Sequence, residues 1–154
     1  MKCLNKRAEK IFRQLIEGLT EPGQHRKIDN TGGTFMPVSI DVLSVEHQTI
    51  EGRQWYAMTV SLAHNHVQNG DLMADPDVEF LVTPLGVAPL TFQQDPGIYR
   101  RWAWKEKGNW RFHPRGQPDL AMFCNQWMVN IKQQQYDAAQ RTFFPAPTTE
   151  NMEA

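Results

Sequence analysis

The sequence predicts an α+β fold: an antiparallel meander sheet of about five to six strands, with an N-terminal and a C-terminal helix packed on one face as a two-layer sandwich. Three observations predict it. Apolar residues recur at helical spacing near both ends, apolar and polar residues alternate through the middle, and the connections between the alternating runs are short. Each amphipathic helix must cover an apolar surface, and such a sheet offers one apolar face.

A first helix is predicted because apolar residues recur at steps of three and four near the N-terminus. These residues are Ala8, Ile11, Phe12, Leu15 and Leu19. Gly18 and the break at 21–23 (Glu-Pro-Gly) end the helix. The segment 20–34 is rich in glycine and polar residues, and we interpret it as a loop.

Strand signals occupy the middle of the chain. Val38, Ile40 and Val42 alternate with polar residues, and the phase slips at Leu43, which indicates a bulge. Further strands are predicted at 53–66, 78–83 and 87–92, with the Asn-Gly turn at 69–70 before the second of these. A hairpin completes the sheet, with arms at 99–104 and 109–114 joined across 105–108.

The closing helix is predicted to start at Pro118, because proline is tolerated in the first turn of a helix. Its apolar face contains Leu120, Phe123, Cys124, Trp127 and Ile131, with Gln134 in line. We expect Trp102, Trp104, Trp110 and Trp127 to be core or near-core residues, since large rings contribute much of the buried apolar area.

Composition indicates one domain, which we place at 1–140, followed by a flexible C-terminal tail at 141–154 in which Phe143 and Phe144 could dock. Lys plus Arg number 16 against 17 Asp plus Glu, so bulk charge favours no class of partner. No apolar run approaches the roughly 20 residues of a membrane span. Cys3 and Cys124 lack a pairing motif. We expect a cytoplasmic protein with no membrane partner, and its oligomeric state stays open.

Histidines and carboxylates surround the Asn-Gly turn. Odd spacing puts His64 and His66 on one side of a strand, and both residue types are ligands that Zn, Mn or Fe accept. A mononuclear metal site would use His64, His66, Asp71 and Asp75, with Asp77 nearby. The alternative, which we favour, is structural: Asn69, Gly70 and Pro76 are typical of a tight turn and a strand-end bend. A divalent metal is the one cofactor that these residues suggest, and we favour the hypothesis that the protein has no cofactor.

Basic residues form a second group on the predicted hairpin. Aromatic residues interleave with five cationic candidates for nucleic-acid binding: Arg100, Arg101, Lys105, Lys107 and Arg111. Cations contact phosphates and exposed rings stack on bases, so such a hairpin could bind single-stranded nucleic acid. In the structural alternative the rings are buried and the charges are solvated without binding a partner, and the alternation in "RWAWK" favours that alternative.

Between residues 61 and 135 the chain resembles a family of uncharacterised proteins carried on bacterial plasmids, integrative conjugative elements and phages. The match includes a His-x-x-x-Gln-Asn-Gly-Asp-Leu-x-x-Asp-Pro-acid motif, and it rests on His64, Asn69, Gly70, Asp71, Asp75, Pro76, Gln94, Asp95, Tyr99, Trp127, Asn130 and Lys132. Asn65 and Met128 depart from the pattern, where the family favours an aromatic residue and leucine. The resemblance implies an accessory gene of a mobile element, and it implies no activity.

Two functions follow as hypotheses. We favour a non-enzymatic binding protein of a mobile element that engages nucleic acid or a host protein. The alternative is a metal-dependent hydrolase or nuclease, in which His64, His66 and the neighbouring carboxylates hold a metal that activates water. We assign no catalytic residue.

Overall fold

The structure, a computed structural model, describes residues 1–144 of the 154-residue chain. In chain order its elements are α1 (Lys6–Leu15), β1 (His25–Ile28), β2 (Val38–Ile50), β3 (Arg53–Gln68), β4 (Asp71–Thr83), β5 (Gly86–Gln94), β6 (Ile98–Arg101), β7 (Ala103–Glu106), β8 (Asn109–Phe112) and α2 (Gly116–Gln135). Within this described part of the chain, no helix is both long and apolar enough to cross a lipid bilayer.

The main sheet is an antiparallel meander in which strands β1 to β6 lie in chain order, each paired with the next. β7 and β8 pair with each other in a separate two-stranded sheet. The predicted α+β fold, with six strands in its antiparallel sheet, is confirmed.

Both helices pack on the same face of the main sheet. Phe12 of α1 contacts Phe80 of β4, with ring centroids 4.7 Å apart. On α2, Trp127 contacts His64 of β3 and belongs to the same buried cluster as Phe12 and Phe80. Complete burial of one such apolar side chain stabilises the fold by about 1.5–3 kcal/mol, so this shared layer fixes the helices. We call the opposite side of the sheet the open face.

The segment 20–34 is predicted to be a loop, and that prediction is wrong for His25–Ile28, which form strand β1. Its burial pattern explains the error: only Ile28 is buried, and a four-residue edge strand with one buried apolar side chain gives no periodic signal. The strand pairs with the start of β2, from His25 opposite Asp41 to Ile28 opposite Val38.

The bulge predicted at Leu43 is present. The register of β2 against β3 shifts between Val42 and Ser44, so Leu43 is the extra residue, and its side chain is exposed. Bulged residues sit unpaired in the ladder, which accounts for an exposed leucine in a strand whose other apolar residues are buried up to that point.

The predicted strand 99–104 is divided in two at Trp102. β6 continues the main sheet beside β5, whereas β7 turns away to pair with β8. Two backbone hydrogen bonds hold the bend: the Trp102 amide donates to the Leu90 carbonyl, and the His113 amide donates to the Trp102 carbonyl. Trp102 is therefore the joint between the two sheets.

The closing helix begins at Gly116 and buries most of the predicted stripe. Phe123 departs from it and is 43% exposed, and Gln135 rather than Gln134 is buried at its C-terminal end. The Gln135 side chain accepts from the Asn30 amide and donates to the Met36 carbonyl, which explains how a buried glutamine is tolerated.

Phe143 belongs to the segment predicted as a flexible tail. Its ring is buried and packs against Tyr136, with centroids 5.1 Å apart. Residues 145–154 of that predicted tail lie outside the described residues.

Candidate nucleic-acid interface

His64 lies in the core between the sheet and α2. The side chain is 7% exposed, its ring meets that of Trp127 edge-on at 5.6 Å, and its Nδ1 lies 3.1 Å from the Pro37 carbonyl oxygen. Burial lowers the pKa of His64, and the hydrogen bond to Pro37 and the charge of Asp75 only partly oppose that effect. A neutral imidazole that packs on an indole is a structural residue of the core.

The four predicted metal ligands do not converge. The strand register shifts beside His64: Ala63 pairs with Asp77 and Asn65 with Ala74, so three steps along β4 match two along β3. His66 pairs further out with Met73, and Asp71 is exposed at the turn. Among residues 1–144 no three His, Cys, Asp or Glu side chains are grouped closely enough to hold a metal ion.

Asp75 has a partner of another kind. Its Oδ1 accepts a hydrogen bond from the Gln94 side chain at 2.8 Å, across the β4–β5 pair. Asp95 is tied to the same place, because its Oδ2 accepts from the Ala74 amide at 2.7 Å, which lowers the pKa of Asp95. Asp75 and Asp95 therefore connect the C-terminal end of β5 to the part of β4 where the register shifts.

The Asn-Gly stretch forms a two-residue turn between the paired residues Gln68 and Asp71. Asn69 and Gly70 have φ of 52° and 84°. Positive φ at both central positions is the geometry that matches the twist of a β-hairpin, and asparagine and glycine adopt it at little cost. The stretch is built as a turn.

Two carboxylates, Asp77 and Glu79, lie on the open face, and Asp77 is the acid expected near the candidate metal site. Asp77 accepts a hydrogen bond from the Ser61 hydroxyl at 2.7 Å, and Glu79 is the cross-strand partner of Ser61. Burial raises the pKa of Asp77 and of Glu79; for Asp77 the Ser61 hydrogen bond partly opposes this rise, and the charges of Asp41 and Asp95 add to it. In the sequence, Asp77 and Glu79 alternate with the apolar residues Val78 and Phe80, and this alternation predicts that the two acids share the face opposite the core.

The two consecutive arginines of β6 point to opposite faces of the sheet. Arg100 is the cross-strand partner of Phe92, which packs on the core under α2, whereas Arg101 is opposite Thr91 on the other face. Side chains of cross-strand partners share a face and successive residues alternate. The edge strand thus gives one cation to each side of the sheet.

The remaining cationic candidates are divided by the register of the β7–β8 hairpin. Trp104 and Arg111 share one side, and Lys105 and Trp110 share the other. The second side turns toward the open face, where Lys105 and Trp110 line a cavity of about 200 Å³ together with Glu46. Lys107 lies in the turn at the tip.

One surface therefore unites two of the five candidates with an aromatic ring. The Arg101 guanidinium lies over the Trp104 ring, 5.6 Å from its centroid, and Arg111 is the cross-strand neighbour of that ring. We call Arg101, Trp104 and Arg111 the outer hairpin face. Both arginines are exposed, and within residues 1–144 neither forms an ion pair. Glu106 is the acid beside them, 3.5 Å from the Trp104 indole nitrogen.

The fold and this surface describe a two-layer α+β protein with an exposed cation–aromatic face on an appended hairpin. A family model described as a domain of unknown function (DUF6908) matches residues 6–137, and the chain belongs to that family. No curated protein and no solved structure matches the chain.

Proposed function

We propose that this protein is a non-enzymatic, cytoplasmic binding protein that holds nucleic acid on the outer hairpin face. The observation that carries the proposal is the Arg101 guanidinium over the Trp104 ring, with Arg111 as the cross-strand partner of Trp104; both arginines are exposed and form no ion pair within the described residues. Guanidinium groups contact phosphates, and an aromatic ring beside them provides a stacking surface for a base.

The local charge differs between the residues of this surface. Arg101 shares the open face with Glu79, since both pair with Thr91, whereas Trp104 and Arg111 lie on the side of the hairpin opposite Lys105 and Trp110, which is the side away from the open face. A formal net charge of −1 therefore does not oppose local binding, because exposed charges more than about 10 Å apart are largely screened at ordinary salt.

Two further points belong to the proposal. The family resemblance implies an accessory protein of a mobile element, and in this proposal the protein performs that role by binding nucleic acid. A hydrolase or nuclease mechanism finds no support in the described residues, since His64 is packed in the core and no three ligand side chains form a metal-sized group there.

Salt-dependent binding tests the proposal. Fluorescence anisotropy is measured with a labelled oligothymidylate and with a duplex DNA of the same length. The double variant Arg101→Ala/Arg111→Ala should weaken binding of the oligothymidylate and reduce the slope of log K against log salt by about 1.4, since each lost phosphate contact on a single strand removes about 0.7. Glu106→Gln should tighten binding, because it removes the acid beside Trp104.

Arg7→Ala/Lys10→Ala is the matched control, because both residues are exposed on α1 and the variant loses the same charge. We expect it to bind as the wild type does. Equal losses in the two double variants would show that binding is spread over the surface. Absence of binding to either DNA at low salt would contradict the proposal and leave a protein partner as the class to pursue.

A further inference from the structure

An open groove of about 380 Å³ lies where α2 begins, beside β5 and the base of the hairpin. Its walls include the rings of Phe92, Trp102 and Phe123, and Arg115 lies at its rim. We call these four residues the aromatic groove. Phe92 and Phe123 meet edge to face with centroids 5.7 Å apart and an interplanar angle of 89°, so the two rings form a corner.

Trp102 is held in place as one wall of this groove. A Cβ atom at Gly116 would overlap its six-membered ring, so only glycine lets the indole lie against the start of α2. The His113 ring meets the indole edge-on, with centroids 5.1 Å apart, and its Nδ1 accepts a hydrogen bond from the Gly116 amide at 2.8 Å. A wall held by two neighbours loses little conformational entropy when a ligand binds against it.

Phe123 is exposed although it belongs to an otherwise well-buried helix face. Its side chain is 43% exposed, whereas Trp127 one turn later is 5% exposed. The exposed Phe123 ring suits a ligand that offers a flat apolar face. Arg115 and Asp119 line the groove, and Arg100 shares a sheet face with Phe92, so two cations and one acid lie in or beside it and favour a ligand with negative charge.

We propose that the aromatic groove takes up an unpaired base of a single-stranded nucleic acid, while Arg100 and Arg115 contact the flanking phosphates. Charge complementarity and ring stacking select this occupant, and Asp119 in the same wall provides an acceptor for a base edge. The inference rests on the proposed function, and it adds a preference for single strands, since a paired base is not free to enter a groove.

β6 connects this groove to the outer hairpin face. Arg100 lies on the groove side of the sheet and Arg101 on the open face, where its guanidinium lies over the Trp104 ring, and Trp102 follows them directly at the joint between the two sheets. A single strand that crosses this edge meets a cation on each side of it, which a rigid duplex cannot do.

The test compares Phe123→Ala with Met122→Ala. Both side chains are exposed on α2, but Met122 is 68% exposed and is not part of the groove wall. Phe123→Ala should weaken oligothymidylate binding about tenfold, as expected for a lost stack on one base. Binding to an abasic oligonucleotide of the same length and to duplex DNA should not change, and Met122→Ala should bind all three as the wild type does.

A second readout reports stacking itself. 2-Aminopurine placed within the oligonucleotide should lose fluorescence on binding to the wild type and to Met122→Ala, and lose much less on binding to Phe123→Ala at saturating protein. If Phe123→Ala binds and quenches like the wild type while Arg101→Ala/Arg111→Ala loses binding, the groove inference fails and the proposed function stands. If the wild type binds no nucleic acid, both fail together.

Discussion

His64 offers the sharpest test of whether the His-Asp stretch is structural or ligand-binding. His64→Ala removes a ring from between β3 and Trp127 and leaves the Pro37 carbonyl without its partner. Truncation of a large buried side chain to alanine costs about 2–5 kcal/mol, and an imidazole is smaller than the phenyl or indole ring, so we expect about 3 kcal/mol for His64→Ala. A typical domain stability of about 5–15 kcal/mol leaves the variant folded at neutral pH.

His64→Asn separates the hydrogen bond from the titration. The asparagine amide nitrogen occupies the place of Nδ1 and can donate to the Pro37 carbonyl, but it does not titrate. Because burial lowers the folded-state pKa of His64, the unfolded chain binds more protons below about pH 6.5, and stability is lost as the pH falls from there to the folded pKa. The slope from this one group cannot exceed about 1.4 kcal/mol per pH unit.

Urea unfolding at about pH 8 and about pH 5 measures both effects, since the two pH values lie on either side of the ordinary histidine pKa. The wild type should lose more stability between the two values than His64→Asn does. His66→Ala, at the wetter end of the same strand, should cost less than about 1 kcal/mol. Identical pH dependence in the wild type and His64→Asn would refute the core role, as would a zinc-induced rise in Tm that His64→Ala abolishes.

Two other substitutions test the environment of single residues by urea unfolding. Gly116→Ala should destabilise the fold by about 1–3 kcal/mol because the new methyl overlaps Trp102, whereas in an uncrowded helix the same change stabilises, so a gain in stability would exclude the close packing. Asp77→Asn keeps an acceptor for Ser61 and should stabilise by less than about 1 kcal/mol at neutral pH. Since burial raises the Asp77 pKa, the charged form costs stability as the pH rises through that pKa, and the gain should vanish below about pH 4.

Periodicity was sufficient for the layers of this fold. Both helical stripes and the alternation in β2 to β5 depend on burial against one shared surface, and that surface exists. β1 was not predicted because it is an edge strand with Ile28 as its one buried residue. Its backbone hydrogen bonds to β2 require no repeating pattern of apolar side chains. The faces of His64 and Asp77 also followed from alternation, but alternation cannot show the register shift at 63–65 that sets their neighbours.

The candidate interface depended on one bend that local sequence does not encode. The run "RRWAWK" alternates without interruption, so it is compatible with one continuous strand that would keep Arg101 and Lys105 on one side. The bend at Trp102 is held by the hydrogen bond that its amide donates to the carbonyl of Leu90, a residue twelve positions away on β5, and by the space that Gly116 leaves for its ring.

That bend decides which charges can act together. It brings the Arg101 guanidinium over the Trp104 ring, and the hairpin register then adds Arg111 while turning Lys105 toward the main sheet. A single-charge change at Lys105 should therefore affect nucleic-acid binding less than the same change at Arg111, although the sequence alone makes the two residues equivalent. The run of basic residues supplies the charges of the proposed binding surface, and the tertiary contacts at Trp102 determine which of those charges lie together.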